Sequence, residues 1–182
     1  MKIAMTLSLF LIMPLSIFSD SDLYVKLAQK IRSQHIKEMG RKGFELVLVG
    51  GGMFNDVEMI SSWFQLDAAP TLEEARIMYL NGAERLLASV NQDKAIRAYL
   101  HDYPFTIGNL DYSLMFRKLS ANHNNGVESI YSVSCIKGKI YYDVFAPTSL
   151  NPNGVKTVCV EPYEEALRIA RDSRALTMSI NK

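Results

Sequence analysis

The sequence predicts an α+β fold: an antiparallel sheet of about five or six strands with the helices packed on one face. Three observations predict it. Strand-like runs cluster after Leu110, helical periodicity is confined to separate segments, and the regular strand–helix alternation of a parallel sheet is missing. The chain of 182 residues, 48% hydrophobic and 21% charged, is long enough for one well-packed core and short for two domains. Its 20 basic and 19 acidic side chains give no positive field for a phosphate backbone, which excludes nucleic acid as the main partner.

The first 19 residues are set apart from the rest. Lys2 is the only charge before Asp20, and the apolar run from Ile3 to Phe18 ends at Ser19, a small residue suited to signal-peptidase cleavage. That run is interrupted by Pro14 and is shorter than the roughly 20 apolar residues a helix needs to cross a bilayer. The reading is a signal peptide over 1–19 and a single globular domain over 20–182. The mature chain is expected to be exported, periplasmic or secreted, with no membrane span once the signal is removed. No cysteine near the cut could carry a lipid, and no Asn-X-Ser/Thr site marks the chain for glycosylation, which points to a bacterial exported protein.

Leu23, Leu27, Ile31, Ile36 and Met39 recur at helical spacing up to Gly40, a first helix. Gly43–Gly50 and Asp56–Asp67 are β-rich runs, read as a hairpin turning around Gly51 to Asn55. Thr71 with Glu74 forms a capping box that opens a helix carrying Ala75, Met78, Leu86, Leu87 and Val90. Asn91 is expected to cap a shorter helix with Ile96 and Leu100 on one face, stopped before Pro104. From Leu110 the period changes to two, and Ser120–Gly126 is polar and Asn-rich, an exposed loop.

Ser129–Ala146 holds the strongest strand signal, two alternating runs joined by Lys137-Gly138 as a two-residue turn. That turn sets Ile136 opposite Lys139, Cys135 opposite Ile140, Val133 opposite Tyr142 and Tyr131 opposite Val144. Tyr131, Val133, Cys135, Ile140, Tyr142 and Val144 then face the core while Ser132, Ser134, Lys139 and Asp143 face water. Val155–Val160 is a last strand, and Glu161-Pro162 leads into a helix bearing Ala166, Leu167 and Ala170. If the last three strands form a meander, Cys135 and Cys159 are two strand spacings apart, about 9–10 Å, beyond the roughly 7 Å a disulfide allows. The reading favours two unpaired thiols.

No motif assembles a catalytic constellation. Gly50–Gly52 lacks the spacing of either phosphate-binding glycine loop, and His35, His101 and His123 lack zinc-ligand spacing, so no catalytic residue, metal ligand or cofactor is expected. Any metal would need ligands assembled by the fold alone. Cys135 falls among apolar neighbours, where a thiol behaves as a small hydrophobe. The richest segment is Asp93–Phe105, which gathers Arg97, His101, Asp102 and three aromatic residues. Arg97, His101 and Asp102 are the candidate binding residues, an arginine to grip a carboxylate beside an imidazole that titrates near neutral pH. The plainer alternative is an Asp93–Arg97 surface pair with the aromatics packed inward.

The residues Glu74-Ala75-Arg76, Glu84, Leu86-Leu87, Asn91, Asp93-Lys94, Ile96-Arg97, Tyr99-Leu100 and Tyr103-Pro104-Phe105, with Lys137-Gly138-Lys139-Ile140, carry a resemblance. Together they resemble an uncharacterised family of small exported proteins from intracellular bacteria, over most of the mature chain. The resemblance implies an exported bacterial setting and carries over no catalytic residue. The expected function is therefore a non-catalytic binding or interaction domain with a protein partner. The alternatives are a small hydrolase whose site exists only in the fold, built on Arg97, His101 and Asp102, and a structural envelope component.

Overall fold

A computed structural model describes residues 20–118, 129–148, 150–151 and 154–180, so the signal peptide expected over 1–19 and the Asn-rich loop expected over Ser120–Gly126 lie outside the described residues. The element order is α1 (Asp20–Arg41), β1 (Glu45–Gly52), β2 (Met59–Leu66), α2 (Leu72–Gln92), β3 (Leu110–Phe116), β4 (Ser132–Ile136), β5 (Lys139–Phe145), β6 (Val155–Pro162) and α3 (Tyr163–Ile180). All six strands join one sheet in chain order. Every neighbouring pair is antiparallel except β2 and β3, which run parallel from Ile60 opposite Leu110 to Leu66 opposite Phe116. The parallel pair departs from the expected all-antiparallel order because α2 is the connection between its strands. A crossover of that length carries the chain back to the starting end, where a tight turn would reverse it.

The three helices cover one face of the sheet. Strict alternation in β3 buries Leu110, Tyr112, Leu114 and Phe116, and the same face takes Ile60 and Phe64 of β2, Val133 of β4, and Ile140, Tyr142 and Val144 of β5. Helix α1 meets it with Tyr24, Ala28, Ile31, His35 and Met39, spaced three and four apart. Helix α2 opens on the expected box, in which the Thr71 hydroxyl accepts from the Glu74 N–H while the Thr71 N–H donates to the Glu74 carboxylate. Tyr112 lies at the centre, its ring 5.6 Å from that of Tyr79 and 5.7 Å from those of His35 and Phe64. Only a glycine fits above it, since a Cβ on Gly82 would collide with the Tyr112 hydroxyl.

An ion pair is buried at the other end of this face. Arg76 Nε donates to Glu161 Oε1 at 2.7 Å and a terminal guanidinium nitrogen to Oε2 at 3.1 Å, while the Tyr142 hydroxyl donates to Oε1 at 2.5 Å. Arg76 and Glu161 are each 7% exposed. Two-point binding plus the phenol supplies the carboxylate with the partners that burial demands.

The β4–β5 hairpin has the expected register, Ile136 opposite Lys139 and Val133 opposite Tyr142. Lys137 and Gly138 take φ of 50° and 74°, the two positive values of the primed turn that matches strand twist. Strand β5 separates β4 from β6, and Cys135 and Cys159 are both free thiols. Two expectations need correction. Tyr131 precedes β4 and stacks on Phe145 at 5.6 Å, and the buried position falls to Ile130, whose N–H donates to the Pro70 carbonyl. Asn91 caps no second helix, because α2 runs on to Gln92 and only a 3₁₀ turn follows at Arg97–Tyr99. Its amide instead clasps Phe105, donating to the carbonyl and accepting from the N–H, both at 2.8 Å.

Candidate functional site

The residues before β2 do not run free. The Val57 N–H donates to the Tyr99 carbonyl at 2.8 Å and the His101 N–H to the Val57 carbonyl at 3.1 Å, a parallel bridge between Val57 and Leu100. Val57 is fully buried, so its neighbours Asp56 and Glu58 are turned outward together, as alternation along extended chain requires. His101 meets them there, with Nδ1 2.9 Å from Asp56 Oδ2. The imidazole pKa is raised, first by the hydrogen bond with Asp56 and then by the charges of Asp56, Asp102 and Glu58. The pair therefore weakens as pH rises through the raised value. Asn109, itself buried, ties the cluster from behind, its amide donating to Glu58 O at 3.2 Å and to Asp102 Oδ2 at 3.1 Å.

The three candidate residues thus separate. His101 and Asp102 enter one acidic cluster, whereas Arg97 lies over the Tyr103 ring, 4.5 Å from its centroid, and donates to the Asn91 carbonyl. The alternative Asp93–Arg97 pair gives way as well, since Asp93 accepts from the N–H groups of Ala95 and Ile96. Asp56 and Glu58 escaped the sequence reading. The alternation of two acids around an apolar residue, Asp56-Val57-Glu58, was the available signal. A cavity of about 200 Å³ between α2 and α3, lined by Leu80, Asn81, Glu84, Leu167, Ala170 and Arg171, contains none of the candidate residues.

A second feature lies along the sheet edge. In β1, Leu46, Val47, Leu48 and Val49 are each between 39% and 45% exposed, and as the edge strand β1 is paired on one side only, by β2. A register shift between Leu46 and Leu48 accompanies this run. Beyond it, Arg32 of α1 donates to the Gly50 carbonyl at 2.7 Å. At the hairpin tip Phe54 is 87% exposed, its carbonyl held by the Tyr24 hydroxyl at 2.8 Å. The open face behind mixes apolar residues, among them the exposed Val155 and Val160 of β6, with polar groups that satisfy one another, Trp63 donating to Asp111 and both Ser132 and Thr157 to Asp143.

No known protein family, no curated protein and no solved structure matches this chain. Among the described residues no helix is long and apolar enough to cross a membrane.

Proposed function

We propose that the protein is an exported, non-catalytic interaction domain that takes up an extended strand of a protein partner along β1. The observation that carries the reading is the exposed run Leu46–Val49. An apolar edge without charge or proline offers unpaired backbone groups and side-chain contacts to an incoming strand, and natural sheets otherwise blunt such edges. The exposed aromatic Phe54 at the adjacent tip adds to the same surface. The first partner the strand fits is a second copy. Glu45 is the only charged residue of β1, and antiparallel self-pairing sets it opposite the glycine end of the other β1, so no like charges meet. The engagement of Arg97 by Tyr103 and Asn91, away from His101 and Asp102, supports binding over hydrolysis. The apolar run ending at Ser19 supports export.

Sedimentation equilibrium across a hundredfold range around about 10 μM, a concentration at which weak homodimers form, tests the reading with Val47→Lys as comparison. Wild-type protein is expected to associate and the variant to stay monomeric, with amide exchange slowed over 45–49 in the wild type alone. Monomeric wild-type protein whose β1 amides exchange freely would remove the self-pairing. For export, N-terminal sequencing after fractionation should find a chain beginning near Asp20, and an intact Met1 chain in the cytosol would refute it.

A further inference from the structure

The cluster at the Val57–Leu100 bridge has a property that strand pairing does not use. One carboxylate oxygen from Asp56, one from Glu58 and one imidazole nitrogen from His101 all lie within 4.8 Å of one another. A first-row divalent ion sits about 2.0–2.2 Å from such donors, which places neighbouring donors about 3.0–3.5 Å apart. The His101–Asp56 contact of 2.9 Å already spans one edge of that polyhedron.

Two further observations point the same way. The second oxygen of Asp56, Oδ1, is shielded from water and has no hydrogen-bond partner among the described residues. A carboxylate oxygen with neither water nor donor is costly, and a cation relieves that cost. Finally, the donors need little reorganisation, because the buried Val57, the two bridge hydrogen bonds and the Asn109 amide fix the backbone beneath them.

We propose that Asp56, Glu58 and His101 form a binding site for a divalent transition-metal ion of the zinc class, open to water on its outer side. Two carboxylates and one imidazole are a mixed oxygen and nitrogen set suited to Zn²⁺ or Mn²⁺. Asp102 stays outside the set, bound to Asn109, and adds negative charge. Binding exchanges the hydrogen bond between His101 and Asp56 for a bond from each to the ion. The site is independent of the strand-addition reading.

The test titrates metal-stripped protein with ZnCl₂ by calorimetry. The expected result is one ion per chain and a loss of affinity of about 100-fold in His101→Ala and in Glu58→Gln. The His101 side chain is 56% exposed, so its removal leaves the fold intact, and circular dichroism checks this. Absence of saturable binding, or zinc binding that both variants retain, would overturn the proposal.

Discussion

Strands β1 and β3 are both rich in apolar residues, yet one is the most exposed strand of the sheet's first half and the other the most deeply buried. In β3 burial alternates: Leu110, Tyr112, Leu114 and Phe116 are buried on the helix-covered face, and the residues between them, Met115 included, are half-exposed on the other. In β1 the residues Leu46 to Val49 are apolar without alternation, and none is buried. A continuous apolar run is ordinarily the mark of a strand covered on both faces. Here it stands at an edge, so the pattern reports what the strand is suited to meet rather than what the monomer supplies. Alternation, by contrast, reports a cover that the same chain provides.

The comparison can be broken by measuring where stability resides. The largest effect is expected at the buried pair: Glu161→Ala leaves Arg76 without a counter-charge and should cost about 3–5 kcal/mol in denaturant unfolding. A loss below about 1 kcal/mol would mean that the covered half is looser than its geometry.

Next is the pH response of His35, which burial pushes down to about 4, with the nearby charges of Glu38, Lys42 and Arg85 as smaller influences. A depressed histidine pKa means that the unfolded chain binds the proton more readily. Stability should therefore be full above about 6.5 and fall by about 3 kcal/mol as pH drops towards 4. His35→Gln should flatten that slope, and an unchanged slope would place its origin elsewhere.

The smallest effect belongs to the edge. Leu48→Ala should change stability by less than about 1 kcal/mol, whereas the equivalent truncation at the buried Leu114 should cost about 2–5 kcal/mol. Equal losses at the two positions would erase the distinction between the strands.

Local features were the legible ones. The Lys137-Gly138 turn and the alternation on either side of it specify the β4–β5 register without reference to anything distant, and the Thr71–Glu74 box is complete within four residues. The separation of the cysteines by two strand spacings follows likewise once the last three strands form a meander. What stayed hidden was set by partners far along the chain. Asn91 reads as a helix cap, but its side chain is taken by Phe105, fourteen residues on. The parallel pairing of β2 with β3 leaves no local trace. His101 was visible as a candidate, while Asp56, forty-five residues earlier, reaches it only because Val57 and Leu100 bridge.

That parallel pairing also governs how the chain must come together. Strands β1 and β2 form one antiparallel unit and β3 to β6 another, and the seam between them joins residues fifty positions apart, Ile60 with Leu110 and Leu66 with Phe116. The β4–β5 turn closes over two residues. Closing the seam costs about 3 kcal/mol more chain entropy than closing that turn, from the logarithmic dependence on loop length. A hairpin and a four-stranded meander that can each be built from neighbouring segments must therefore find one another before the centre of the sheet exists.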